Sequence, residues 1–154
     1  MTVYRLAYHH YVTDKTGIGA RLYGGRWNPK GVACLYTSAH ISLALLEKFV
    51  HARGKEDVAG LMLLSIEIPD RGDLVYHVDE SRMVDGWADN FDYSQWLGKQ
   101  ILTEGTFVAF SVPSAIVPAE RNVIINPQAA HFKEVRFHKP VIFDIDARLS
   151  DRLV

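Results

Sequence analysis

The order in which the apolar patterns follow one another constrains this chain most. Strand-like runs read at 3–8, 33–37, 58–68, 106–112, 123–125, 133–138 and 141–144, and helical spacing reads only at 39–52 and 93–104. In the first run Val3, Arg5 and Ala7 alternate with Tyr4, Leu6 and Tyr8, the period of an extended strand. Ser38 is placed to cap the first helix and Gly54 to stop it. Trp96, Leu97, Ile101 and the following Gly105 mark the second helix, and Pro69 and Pro113 close the strands before them. Six or seven strands with two main helices do not alternate as a doubly wound sheet requires, so the pattern predicts an α+β fold. At 154 residues the chain reads as a single domain, 1–154.

Charge and composition then remove whole classes of function. Lys and Arg total 17 against 18 Asp and Glu, so no basic surplus serves a nucleic-acid backbone, and a nucleic-acid-cleaving activity is disfavoured. Hydrophobic residues make up 48%, which argues against intrinsic disorder. Cys34 stands alone, so a disulfide scaffold is excluded and a reducing, cytoplasmic location is expected. No apolar run approaches the roughly 20 residues of a spanning helix, and the first residues lack a basic segment followed by an apolar one; no membrane association is expected. The seven histidines show no ligand spacing, so no metal is expected.

Between the first two strands lies a glycine-dense stretch, 17–31, read as a loop with special backbone demands. It fails the known phosphate-binding patterns. Gly17-Ile18-Gly19 lacks the third glycine of a dinucleotide fingerprint, where Leu22 stands. Gly19 and Gly24 are spaced as in a nucleotide-triphosphate loop, but Gly25-Arg26 replaces the Lys-Ser/Thr pair. No G-x-S-x-G elbow occurs.

Four groups of residues carry chemistry. Gly24-Gly25-Arg26-Trp27-Asn28 joins flexible backbone to a guanidinium, whose planar fork can grip phosphate oxygens at two points. Arg26 equally reads as a surface arginine, and Trp27 as a core anchor. Tyr36, in Leu35-Tyr36-Thr37-Ser38, can stack on a flat ring or fill the core. In the 39–52 helix the apolar residues cover a broad face, and Glu47 falls on its margin beside Leu43, bordering either a cleft or solvent. Ser114 lies in stiff backbone between Pro113 and Pro118, ahead of Asn122 and Asn126-Pro127. Arg5 is the oddity: a guanidinium inside an otherwise apolar strand needs an anionic partner, either a side chain or a ligand phosphate.

Taken together, these residues resemble the RES-domain family, which is named for an Arg, a Glu and a Ser that match Arg26, Glu47 and Ser114. Tyr4-Arg5-Leu6, the GGRWN run, Tyr36-Thr37-Ser38, Ala44 before Glu47, the PSAIVP run at 113–118 and Asn126-Pro127 also match. The resemblance spans about residues 3 to 146. One departure is that the Asn-Pro-x-His pattern reads Asn126-Pro127-Gln128-Ala129-Ala130-His131 here.

The resemblance implies an ADP-ribosyltransferase-like split sheet, mostly antiparallel, with flanking helices. It implies a toxin of a bacterial type II toxin–antitoxin system that consumes NAD as substrate by cleaving the nicotinamide–ribose bond, with no permanently bound cofactor. The implied partner is a helix-turn-helix, Xre-like antitoxin that covers the cleft and alone touches DNA. Under that reading Arg26 and Arg5 clamp the pyrophosphate, Tyr36 stacks near the nicotinamide, Glu47 steadies the ribose as it turns cationic, and Ser114 binds the ligand or positions Glu47. Water or phosphate then attacks the ribose. Transfer of ADP-ribose to a protein on the same fold, and a non-catalytic nucleotide- or partner-binding module, are the competing readings.

Overall fold

The computed structural model describes residues 1–153. Strand β1 (Thr2–Tyr8) leads to helix α1 (Ile18–Tyr23), strand β2 (Leu35–Ser38), helix α2 (Ile41–His51) and strand β3 (Leu61–Glu67). Strand β4 (Val75–His77), helix α3 (Phe91–Glu104) and strands β5 (Ala109–Pro113) and β6 (Arg121–Ile125) follow. Strands β7 (Arg136–Phe137) and β8 (Val141–Ile142) and the short helix α4 (Ala147–Ser150) end the chain. The fold is α+β, as the patterning implied. Among the described residues eight strands form one sheet in the order β4-β5-β6-β2-β1-β3-β7, with β8 also paired to β3. Only β4–β5 is parallel.

The sheet nearly divides in two. β1 pairs with β3 along its whole length, from Thr2 opposite Glu67 to Tyr8 opposite Leu61. β2 likewise pairs fully with β6, from Leu35 opposite Ile125 to Ser38 opposite Asn122. The two halves meet at one register pair, Tyr4 opposite Ser38. Beyond it β1 and β2 part, and the residues that would have paired face a cavity instead.

Alternation along the strands builds separate packing faces. Val123, Ile125 and Ala109 join Val3, Leu35 and Ile66 on one side. Phe110, Val112 and Ile124 point to the other, where Trp27, Trp87 and Leu102 meet them under α3. Leu6, Ala44 and Leu61 form a third cluster beneath α2.

Several local expectations needed correction. The stretch 17–31 is not loop throughout: Gly17, in the left-handed region at φ 69°, starts α1. Ser38 does not cap α2. It is the last residue of β2, and His40 takes the cap position without a side-chain bond. Gly54 does not stop α2 directly. The helix ends at His51, and Gly54 opens a 3-10 turn over Lys55–Val58, so β3 begins at Leu61 rather than at 58. α3 starts two residues early because the Asn90 side chain accepts from the Tyr93 N–H. β7 and β8 do not pair with each other; each adds to β3. β4 was not expected, because three residues are too short to show a period. No helix among the described residues is long and apolar enough to cross a membrane.

Candidate functional site

Where β1 and β2 part, a cavity of about 720 Å³ opens. Arg5 and Tyr36 reach it from the two strands, Arg26 from the loop after α1, and Glu47 from α2. Four residues singled out in the sequence thus share one hollow, though 42 positions separate the outermost two. Ser114 does not line it.

The GGRWN loop is held by buried polar groups. Asn28, 0% exposed, donates from Nδ2 to the carbonyls of Ala20 and Val32, both at 2.8 Å. Its Oδ1 accepts from the Tyr36 hydroxyl at 2.6 Å, and that hydroxyl accepts in turn from the Trp27 N–H at 2.9 Å. Tyr36 lines the cavity and packs on the cluster around Trp27, while its hydroxyl fastens the loop. Burial, and next the Cys34 thiol, push the Tyr36 hydroxyl far above the usual phenol range, so it stays protonated. From α3, the Ser94 hydroxyl donates to the Arg26 carbonyl at 2.6 Å and the Gln95 amide to the Gly25 carbonyl at 2.9 Å. A Cβ at Gly98 would lie 1.7 Å from the Trp27 carbonyl oxygen, so only glycine lets α3 approach this closely. Trp27 is the core anchor of the loop, 2% exposed.

The loop leaves Arg26 at the cavity edge. Its guanidinium donates to the Ala88 carbonyl at 2.6 Å and lies 4.8 Å from the centre of the Phe91 ring. One N–H and one face are thereby fixed, and Arg26 lines the cavity with donors to spare.

Glu47 is aimed by side chains from the far half of the sheet. Its Oε1 accepts from Asn122 Nδ2 at 2.6 Å and from the Ser114 hydroxyl at 3.2 Å. Asn122 Oδ1 accepts from the Ser38 hydroxyl at 2.7 Å, its register partner across β2 and β6. Ser114 is 0% exposed, and its oxygen also accepts from the N–H groups of Ile116 and Val117. It stands behind Glu47 and orients it. Among the described residues Oε2 has no protein partner. The broad apolar face drawn for α2 is narrower in the fold: Leu46 and Val50 are exposed, and Ala44, Glu47, Lys48 and His51, spaced i, i+3, i+4, i+7, line the cavity with Val50 at its edge.

Arg5 stands out among the described residues. Its Nε is buried without a hydrogen-bond partner, and among those residues no carboxylate lies within ion-pair distance. Burial lowers its pKa, and the charge of Asp14 offsets that in part. Asp14 is engaged elsewhere, accepting from the Thr16 hydroxyl and from the N–H groups of Thr16 and Gly17. His131 stands away from the cavity and bonds Glu134 at 2.7 Å.

Sequence reasoning gave no role to Asn122, Lys48 or Gly98. For Gly98 the signal was there, since a glycine inside a helical pattern marks close packing. For Asn122 only the strand register reveals the link.

Comparison with known proteins shows the family and the fold. Residues 2–147 match the RES domain. A protein named Toxin Res from Photorhabdus laumondii is 39% identical over 97% of both chains. The Prs ADP-ribosylating toxin of a Sphingobium species is 34% identical over 82% of this chain and 80% of its own. In three dimensions, a chain of the M. tuberculosis MbcT–MbcA toxin–antitoxin complex superposes with a TM-score of 0.77 over 99% of this chain and 87% of that one, at 20% identity. The match of the RES domain along nearly the whole sequence, together with relatives of this identity, makes the chain a member of the RES domain toxin family.

Proposed function

We propose that this protein is the toxin of a toxin–antitoxin pair and that it degrades NAD by cleaving the bond between nicotinamide and ribose. One observation carries the reading: a guanidinium at Arg5, whose buried Nε has no partner among the described residues, and an oriented carboxylate at Glu47 share a single cavity. Its volume of about 720 Å³ falls among small-molecule sites. Three cations, Arg5, Arg26 and Lys48, line it against two carboxylates, Asp14 and Glu47. That balance suits a pyrophosphate in the middle of a ligand with a sugar turning positive at one end.

In this mechanism Arg5 and Arg26 hold the pyrophosphate and Tyr36 offers its ring to the nicotinamide side. The free Oε2 of Glu47 accepts from a ribose hydroxyl. The C–N bond breaks with its electron pair leaving on nicotinamide, which departs neutral. The positive charge passes to the ribose, where the adjacent carboxylate stabilises it. Water then bonds the ribose carbon and releases a proton to solvent, or a phosphate oxygen bonds it instead. No general acid is needed. Ser114 and Asn122 act through Glu47 as positioning residues.

Transfer of ADP-ribose to a protein is the second reading, favoured by the 34% identity to an ADP-ribosylating toxin. We take the antitoxin to be a helix-turn-helix, Xre-like protein that covers the cavity and carries the DNA contact. The likeness to a toxin–antitoxin complex supports an antitoxin of some kind. The test is nicotinamide release from NAD by the purified protein. Glu47→Gln is expected to slow it at least about 100-fold with the fold intact, the loss typical of one electrostatic stabiliser. Wild-type turnover by that variant refutes the mechanism. Modified target in mass spectra, in place of free ADP-ribose, selects the second reading.

A further inference from the structure

Lys48 has no function in the reading above, yet its surroundings are unusual. It lies on the cavity face of α2, one residue after Glu47. Among the described residues it forms no salt bridge and no hydrogen bond. Its ammonium lies 5.9 Å from the centre of the Tyr8 ring. Burial, and then the positive charge of Arg5, hold it below the ordinary lysine range. Two cations from different elements therefore line one cavity, both half-buried, and neither forms a salt bridge among the described residues. Arg5 adds a buried Nε donor with nothing among the described residues to donate to. Like charges placed this way repel, and an anion with several acceptor oxygens relieves both charges at once. Asp14, the carboxylate nearest to Arg5 in its influence, is occupied by Thr16 and Gly17.

We propose that Lys48 and Arg5 together form a two-cation seat for phosphate oxygens beside Glu47, making Lys48 a ligand-binding residue of this cavity. The inference rests on the proposed site but not on its reaction, because the seat follows from charge and burial. Phosphate oxygens can come from the pyrophosphate of a dinucleotide or from free phosphate acting as the acceptor. Because Lys48 neighbours Glu47 on the same helix face, either source would lie close to the reacting sugar.

The test compares wild type, Lys48→Gln and Lys48→Arg, with melting curves to confirm folding. Titration with inorganic pyrophosphate and with orthophosphate reads the seat without any turnover. Lys48→Gln is expected to weaken the better of these anions about tenfold, and Lys48→Arg to restore most of it, as for loss and return of one charge-assisted contact. Nicotinamide release then separates the sources. A raised KM for NAD in Lys48→Gln assigns the seat to the dinucleotide. Loss of a stimulation by orthophosphate, with loss of a phosphorylated ADP-ribose product, assigns it to the acceptor. Anion affinities within twofold of wild type in a folded Lys48→Gln overturn the proposal. If the anion effect holds but wild type releases no nicotinamide, the seat stands and the NAD reading fails.

Discussion

Replacing Gly98 with alanine tests how firmly α3 positions the arginine loop. The added Cβ would meet the Trp27 carbonyl oxygen at 1.7 Å, whereas real Cβ contacts do not fall below 3.0 Å. The loop or the helix must therefore retreat by at least about 1.3 Å, the difference between those two distances. The obstacle is backbone, and the same loop is tied to α3 by the Ser94 and Gln95 bonds, so retreat breaks those bonds as well. Overpacking of this kind costs about 3 kcal/mol at the upper end of its usual range. The better helix propensity of alanine returns about 1 kcal/mol. A net loss of about 2 kcal/mol lowers Tm by about 4–8 °C in a domain of this size. Arg26 moves with the loop, and a shift of about 1 Å at a positioning group can reduce turnover about 100-fold. Gly19, inside α1, is the control: a Cβ there meets nothing within 4 Å, so Gly19→Ala is expected to leave Tm unchanged or raise it slightly. Thermal melts of the two variants and their rates of nicotinamide release provide the assay. A Gly98→Ala protein as stable and as active as wild type would refute the packing argument.

Other outcomes follow from the same contacts. Arg5→Met removes a buried donor that no group among the described residues satisfies, so it is expected to raise stability by about 1–3 kcal/mol in urea melts while abolishing NAD affinity in calorimetry; a less stable variant would mean that Arg5 has a structural partner. Ser114→Ala strands the N–H groups of Ile116 and Val117 and frees one side of Glu47. It should cost about 1–3 kcal/mol and lower kcat more than it changes KM. Burial pushes the Cys34 thiol up to about 12, so in the folded protein it should resist thiol reagents at pH 8 and react on unfolding. Because this pKa is raised, the stability it contributes is complete below about 9, the ordinary thiol value, and is lost as pH climbs from there towards about 12; urea melts across that range check the sign.

Residue chemistry and local pattern were legible in the sequence. The alternation at 3–8, the periodicity at 93–104 and the irregular order of elements gave the α+β class, because these depend on near neighbours in the chain. Arg5 stood out as a charge in an apolar strand, and Arg26, Glu47 and Ser114 through their resemblance to a family. The tertiary structure decided everything that depends on distant segments meeting. It set the parting of β1 and β2 after one register pair, which makes the cavity. It moved Ser114 behind Glu47, across 67 positions, and brought Asn122 to the same carboxylate across 75. It placed Lys48, which the sequence reading passed over, at the cavity beside Glu47. Such bonds leave no local period, since their partners are chosen by strand register and by the close approach of packed elements.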